Sequence, residues 1–209
     1  KASEQEAALA ELGLCRLTYT LRFVNCGIEG TTTWLFDAGG RSDDRTALSP
    51  FVLTRTVFDG KIARLESSLE PTRDLTGAHR DQTVASGMPA LLGDWSRRFD
   101  SATVERVDEI EGKRSARVRL VKGQAPAMTV HVDLATGDVV AADVNELVQG
   151  GRTYSRRLTL EDWRETAGLR LPMRMVSEDD ASGRVVFEVQ KLETRVNDVR
   201  DPFVLPALK

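Results

Sequence analysis

The segment CRLTYTLRF, residues 15–23, alternates apolar and polar side chains from end to end. Successive side chains of a β-strand point to opposite faces of its sheet, so this alternation predicts a strand with one buried and one solvated face. The same period continues at Thr32, Trp34 and Phe36. This part of the chain therefore favours a half-buried antiparallel sheet.

The rest of the chain repeats this pattern between regularly spaced turn residues, which is typical of a large antiparallel sheet. Asp59-Gly60 is the strongest turn signal. It predicts a hairpin with positive φ at Gly60, following one long strand from about Thr46 to Phe58. Later strands are predicted at residues 102–110, 114–121, 127–134, 139–148, 153–163, 170–177 and 184–195.

Two short helices are predicted. Ser3 and Glu6 form a capping box, and Gly13 is a natural C-terminal stop. The second helix starts near Pro89 and has an apolar face, whereas residues 68–84 before it are polar and are predicted to be irregular. The apolar face of this helix comprises Met88, Leu91, Leu92, Trp95 and Phe99.

The predicted fold class is α+β, mainly β. We expect a single domain over residues 1–209, built as a large curved antiparallel sheet, or incomplete β-barrel, with two short helices on its concave face. A strongly twisted sheet of this size curls, and its concave face must be covered.

The composition of the chain argues against some classes of function. The chain carries 29 Lys and Arg against 32 Asp and Glu, and its net charge of −3 argues against a nucleic-acid surface. No apolar run approaches the roughly 18 residues of a transmembrane segment. Because the chain begins at Lys1 without a methionine, we expect a processed or excised protein from which a signal peptide has been removed.

The two cysteines, Cys15 and Cys26, are predicted to be free thiols. A strand between them would separate them by roughly 30 Å, whereas bridged Cα atoms lie about 5.5 Å apart. Only a bend or break in that strand would pair them, so cysteine usage leaves the cellular compartment open.

Motifs of catalysis are missing from the sequence. It contains no G-x-S-x-G, no P-loop and no G-x-G-x-x-G. The two histidines, His79 and His131, are far apart in sequence and are interpreted as solvated surface residues. We therefore predict a protein that is not an enzyme and has no catalytic residues, no metal site and no cofactor.

Adjacent acidic pairs are the remaining candidates for acid–base chemistry. Neighbouring residues on a strand point to opposite faces, so the two carboxylates of a pair do not converge on one substrate. We interpret these pairs as solvated turn residues: Asp43-Asp44, Glu161-Asp162 and Asp179-Asp180.

The apolar face of the predicted sheet is large compared with two short helices. A curled sheet that they fill incompletely leaves a cavity suited to an acyl chain or another lipid. The alternative is that these side chains fill an ordinary core. The predicted ligand-binding residues are Leu21, Trp34, Phe36, Trp95, Met128, Met173 and Met175.

Four short motifs, in order along the chain, resemble those of the bacterial LolA/LolB family of periplasmic lipoprotein carriers and receptors. The first motif follows a long strand, and the second is a D-x-x-T-G turn. The third is an aromatic segment that ends at a proline, and the fourth is a closing proline-rich stretch. The motifs are FDGK at residues 58–61, DLATG at 133–137, DWRETAGLRLP at 162–172, and Asn197 with PFVLP at 202–206.

This resemblance implies a half-barrel with an apolar interior, located in the periplasm or cell envelope. Its implied ligand is a lipid, an acyl chain or a lipoprotein, with an envelope protein as a further partner. Diverged relatives also occur as accessory domains of envelope hydrolases and proteases, which leaves a domain without a small ligand as the alternative. The chain departs from the family at Ala63-Arg64, where a Trp usually follows the FDG motif.

Overall fold

The computed structural model describes residues 2–48, 52–92, 95–110, 112–149, 152–198 and 202–208, except for a few side chains within these ranges. The described residues contain four helical segments: α1 (Ala2–Leu12), α2 (Gly77–Ser86), α3 (Met88–Leu92) and α4 (Trp95–Arg98). None of these helices is long and apolar enough to cross a membrane.

Within the described ranges, thirteen antiparallel strands form one sheet. They are β1 (Cys15–Phe23), β2 (Glu29–Phe36), β3 (Ser42–Leu48), β4 (Val52–Phe58), β5 (Ala63–Ser67), β6 (Arg73–Leu75), β7 (Ser101–Ile110), β8 (Lys113–Val121), β9 (Met128–Asp133), β10 (Val139–Gln149), β11 (Arg152–Thr166), β12 (Leu169–Asp179) and β13 (Gly183–Glu193).

The strand order joins two meanders, β6 to β1 and β13 to β7, through a single pairing between β1 and β13. Every other pairing in the sheet joins strands that follow one another in sequence. The outer strands β6 and β7 are not paired with each other, so the sheet is an incomplete barrel, which confirms the predicted architecture.

The helices pack on one face of this sheet. Leu9 of α1, Ala85 of α2 and Leu91 of α3 belong to the same buried cluster as the inward-facing residues of the strands. The inward positions of β1 are Cys15, Leu17 and Tyr19, as their alternation predicts, and none of them is exposed. The helix-covered face is therefore the core of the protein.

The predicted helix near Ser3 is confirmed as α1. The predicted second helix corresponds to α3 and α4, and residues 93–94 between them lie outside the described residues. Leu91, Leu92 and Phe99 are buried and Trp95 packs against the core, as predicted, while the side chain of Met88 lies outside the described residues.

Residues 68–84 were predicted to be irregular, and this is wrong because they contain β6 and most of α2. Only Ala85 of α2 is buried. A helix that buries one small side chain has almost no apolar periodicity to detect in sequence. The predicted long strand from Thr46 to Phe58 is also wrong, because β3 and β4 are two strands that pair with each other.

The other face of the sheet is covered near β4, β5 and the start of β3 by the C-terminal segment 202–208. Arg55 donates a hydrogen bond to the carbonyl of Val204 at 3.1 Å, and Arg64 donates one to the carbonyl of Pro206 at 2.7 Å. The Arg41 guanidinium lies 4.7 Å from the centre of the Phe203 ring. This segment is therefore fixed to the sheet mainly by three arginines.

The predicted hairpin at Asp59-Gly60 is confirmed. One carboxylate oxygen of Asp59 accepts hydrogen bonds from the backbone N–H groups of Lys61 and Ile62, both at 2.7 Å. Gly60 has φ of 102°. This conformation strongly disfavours any residue with a Cβ atom.

We expect Gly60→Val to destabilise the protein by about 1–2 kcal/mol, because a β-branched residue would be forced to positive φ. Urea unfolding followed by circular dichroism measures the loss. Lys61→Val is the matched control, since it introduces the same side chain at the next, exposed position. Equal stability of the two variants would contradict the turn geometry.

Candidate ligand-binding cavity

A cavity of about 280 Å³ lies between the helix-covered face of the sheet and α2. It spans the sheet from β3 to β9 and therefore crosses the β1–β13 pairing. Its lining from the N-terminal meander is Thr32, Trp34, Asp44 and Thr46. The remaining lining is Gln82, Ala85, Ser86, Leu91, Ala125, Pro126, Met128, Ala142, Val144, Arg156, Leu158, Met175, Ser177 and Phe187.

Most of the wall is apolar, and strand register explains why. Phe187 of β13 pairs with Met175 of β12, and Leu158 of β11 pairs with Ala142 of β10. Directly opposed residues in antiparallel strands point to the same side of the sheet. Leu158 also pairs with Ser177, so two adjacent rows of inward positions place aromatic, thioether and aliphatic side chains along the cavity.

An aromatic cluster lies beside β1 and β2, in which Trp34 and Phe187 line the cavity and Tyr19 is buried behind them. Tyr19 contacts Trp34 edge-on at 5.3 Å between ring centres, and Phe187 at 6.5 Å. The Tyr19 hydroxyl is fully buried, and no described residue forms a hydrogen bond with it. Burial, together with the nearby charge of Asp44, raises the pKa of Tyr19, so its hydroxyl stays neutral.

Asp44 is the acidic residue of the lining. Its Oδ1 atom accepts a hydrogen bond from the Thr32 hydroxyl at 3.1 Å, and that hydroxyl lies 2.8 Å from the hydroxyl of Thr46. Desolvation raises the pKa of Asp44 to about 6, against the opposing effect of hydrogen bonds from Thr32, Trp34 and Thr46. No ion pair to Asp44 occurs among the described residues.

Asp43, the preceding residue, points to the opposite face of β3 and has the opposite environment. Its side chain is completely buried, and its Oδ2 atom lies 2.7 Å from both Arg45 and Arg55. Desolvation alone would raise the pKa of Asp43, but hydrogen bonds and charge from the two arginines outweigh it and lower the pKa. The two neighbouring carboxylates thus differ mainly in their counter-ions.

Arg156 is the basic residue of the lining. Its Nε atom lies 3.4 Å from Oδ2 of Asp179, a carboxylate whose side chain is only 1% exposed. Its guanidinium also lies 5.8 Å from the centre of the Tyr154 ring. The charge of Arg156 is therefore balanced, whereas that of Asp44 is not.

Two further cavities border the same face. A small one of about 130 Å³ shares Trp34, Asp44 and Ser86 with the main cavity. A cleft of about 510 Å³ lies between α1, α3, α4 and strands β9 to β12, and Trp95 and Trp163 line it. The small cavity extends the main one at its acidic end.

The structure distributes the seven predicted ligand-binding residues over different places. Trp34, Met128 and Met175 line the main cavity, Phe36 lines the small one, and Trp95 lines the larger cleft. Leu21 and Met173 line none of the described cavities. Leu21 is buried outside the core cluster, and Met173 falls at a gap in the β11–β12 register beside Asp162, whose φ is 54°.

Two polar expectations are wrong. Asp43 and Asp44 are not solvated turn residues, because both lie within β3. His131 is buried, and its Nε2 atom lies 2.9 Å from Oδ2 of Asp143, whereas His79 is exposed as predicted. Among the described residues, no three His, Cys, Asp or Glu side chains are grouped to hold a metal.

Sequence comparison finds no relative, since no protein-family model and no curated protein matches this chain. Solved structures do match. A LolA superfamily protein from Nitrosomonas europaea has a TM-score of 0.64 at 12% identity, over 93% of this chain and 91% of that chain. The chain has the fold of the LolA superfamily.

Two further structures share this LolA-like fold. A putative outer membrane lipoprotein-sorting protein domain from Vibrio parahaemolyticus has a TM-score of 0.62 at 9% identity, over 96% of this chain and 93% of that chain. A DUF1329 family protein from Desulfovibrio piger has a TM-score of 0.57 at 9% identity, over 92% of this chain and 91% of that chain. The resemblance stated from the sequence motifs is thereby confirmed.

The motifs lie at turns of the LolA-like fold. In the DLATG motif, Asp133 accepts a backbone hydrogen bond from Ala135 at 2.8 Å, and Gly137 has φ of 76°. The DWRETAGLRLP motif forms the β11–β12 hairpin, in which Trp163 pairs with Pro172. These motifs therefore specify turns of the sheet, and they contribute few residues to the main cavity.

We expect Asp44→Asn to stabilise the protein at pH 8 by about 2–3 kcal/mol, because it removes a desolvated charge. The folded-state pKa of about 6 lies above the ordinary value of 3.8, so the folded protein loses stability as the pH rises through this window. The gain should disappear below about pH 4, where the carboxyl is protonated in both states. Thermal unfolding at both pH values measures it.

Asp43→Asn, the matched variant on the opposite face, should destabilise the protein at pH 8 by about 1.5–3 kcal/mol, since two charge-assisted contacts are lost. The pKa of Asp43 is lowered in the folded state. The stabilisation by the Asp43 carboxylate is therefore present at pH values above the ordinary pKa of Asp, and it is lost as the pH falls through the lowered pKa. If both variants shifted stability in the same direction at pH 8, the assignment of the two environments would be wrong.

Proposed function

We propose that this protein is a non-enzymatic binding module that holds one apolar ligand, an acyl chain or another lipid, in the cavity beneath α2. The observation that carries the proposal is the void itself. A packed core would close such a space, because an unfilled apolar cavity costs stability in proportion to its size.

The size and lining of the cavity support a small apolar ligand. Its volume of about 280 Å³ lies near the lower end of the range of about 300–1,000 Å³ for ligand sites. Met128 and Met175 add flexible thioether side chains, which adapt to irregular ligands. One chain of a lipid fits this space better than several.

The cover of the cavity is thin, which supports an entry route beside α2. The helix faces the cavity with Gln82, Ala85 and Ser86, and only Ala85 is buried. Its N-cap residue, Thr76, makes no side-chain capping hydrogen bond. A segment with so few buried apolar contacts opens at low free-energy cost.

The cell envelope is the proposed location. The support is the LolA-like fold, which this chain shares with the Vibrio parahaemolyticus domain described as a putative outer membrane lipoprotein-sorting protein. A lipidated protein presents acyl chains, and the cavity matches that chemistry. A lipoprotein is therefore a proposed ligand beside a free lipid.

The alternative is an accessory domain of an envelope hydrolase or protease system with no small ligand. The outer strand β7 favours it, because Val104 and Val107 are 64% and 50% exposed on an unpaired sheet edge. Exposed apolar residues on such an edge are a common protein-contact surface. Ligand titration separates the two functions.

The neutral apolar dye Nile red should bind saturably to the folded protein. Met175→Asp places a charge inside the cavity and should weaken binding at least about tenfold, while Met173→Asp, two residues along the same strand and outside the cavity, should bind as the wild type does. Val144→Trp fills the cavity without adding charge and should weaken binding too. This variant tests the proposal if Met175→Asp does not fold. Absence of saturable binding by the wild type would refute the proposal.

Tryptophan emission provides a site-specific check. Trp34 lines the cavity, whereas Trp95 and Trp163 line the separate cleft. Binding of dodecanol should change the emission of the wild type and of Trp163→Phe, and Trp34→Phe should lose this change. A change that persists without Trp34 would place the ligand elsewhere.

A further inference from the structure

The charges around the cavity are not balanced. Arg156 has its counter-ion in Asp179, whereas the Asp44 carboxylate is held by neutral hydroxyl groups and faces the cavity. A charge without a partner in a poorly solvated site is costly, and proteins retain such groups mainly where a ligand uses them. The acidic end of the cavity is thus prepared for a complementary group.

The atoms around Asp44 are acceptors and aromatic faces. The Asp44 carboxylate accepts hydrogen bonds from neutral groups, among them the Thr32 hydroxyl to Oδ1, and the buried Tyr19 hydroxyl behind the cavity wall has no partner among the described residues. Trp34 both lines the cavity and stacks edge-on against Tyr19. Carboxylates and aromatic faces both attract cations, and the attraction is strongest where water is scarce.

We propose that the cavity selects an apolar ligand that carries a positively charged amine at one end, with Asp44 as its counter-ion. This inference rests on the proposed function and specifies its ligand class. The ammonium group donates a hydrogen bond to the Asp44 carboxylate. The alkyl chain lies along Phe187, Met175 and Leu158 toward β9.

A carboxylate-bearing ligand fits this arrangement poorly. Placed at the acidic end, its negative charge would meet Asp44 and no cation. Placed at Arg156, it would have to share that guanidinium with Asp179, whose carboxylate lies 3.4 Å from Nε. A neutral alcohol would bind through its chain alone, without the ionic contribution.

The preference for an amine should depend on pH through Asp44. The other charged or titratable groups near it are Asp43 on the opposite face of β3, Tyr19, which stays neutral, and Arg156 across the cavity. The charged groups of α2 are His79, Arg80 and Asp81, and none of them lines the cavity. An alkylamine is protonated up to about pH 10, so the change near pH 6 belongs to the protein.

The test is displacement of Nile red by dodecylamine, dodecanol and dodecanoate, which share one chain length, at pH 8 and pH 5. Concentrations stay below the onset of micelles. For the wild type at pH 8 we expect dodecylamine to displace the dye about tenfold more tightly than dodecanol, with dodecanoate weakest. At pH 5 the amine preference should largely disappear.

Asp44→Asn should reduce the preference for dodecylamine over dodecanol to about twofold or less, and dodecanol should bind no more weakly than to the wild type. Asp43→Asn, whose charge lies on the other face, should retain the preference.

The outcomes separate the two proposals. If Nile red and all three competitors fail to bind, the proposed function is refuted and the amine preference with it. If dodecanol binds but dodecylamine has no advantage, or keeps its advantage in Asp44→Asn, the amine inference is overturned and the lipid-binding function stands. If dodecanoate binds more tightly than dodecylamine and dodecanol, the amine inference is also overturned.

Discussion

The structure depends on one long-range pairing, between β1 near the N-terminus and β13 near the C-terminus. Every other strand pair forms between sequence neighbours, so each meander can form from local hairpins, whereas this pairing must close a loop of most of the chain. Its residues offset that loss of entropy, since Leu21 faces Phe187 across it and Tyr19 stacks edge-on against the same ring. The main cavity lies across this junction, so the cavity exists only when both meanders are joined.

Much of the fold follows from local pattern. The inward residues of β1, the turn at Gly60 and the strands after residue 101 are all set by alternation and turn chemistry, which act over a few residues. The errors occur at the β3–β4 boundary and at α2. The β3–β4 boundary carries Ser49-Pro50, a turn signal that the prediction of one long strand overlooked, and α2 buries only Ala85, so it leaves no periodic signal.

The candidate cavity is harder to derive from sequence than the sheet, because its lining comes from both meanders, from helices and from a loop. Alternation identifies Trp34, Met128 and Met175 as inward-facing, but it does not distinguish a residue that borders a void from one that is packed. Asp44 was missed because an acidic pair is usually solvated. The available clue was that Asp44 lies two residues before Thr46, which pairs with Thr32 of β2. These three residues form a small polar patch on an otherwise apolar face.

The two outer strands, β6 and β7, do not pair with each other, and this has a mechanical consequence. In a closed barrel, strand number and stagger fix the radius, so the interior cannot widen unless hydrogen bonds between strands break. Here β6 and β7 are separate ends of the sheet, and small changes in twist between neighbouring strands alter its curvature while every pairing persists. The interior volume of the open sheet can therefore change with its curvature, while the hydrogen bonds between its strands stay intact.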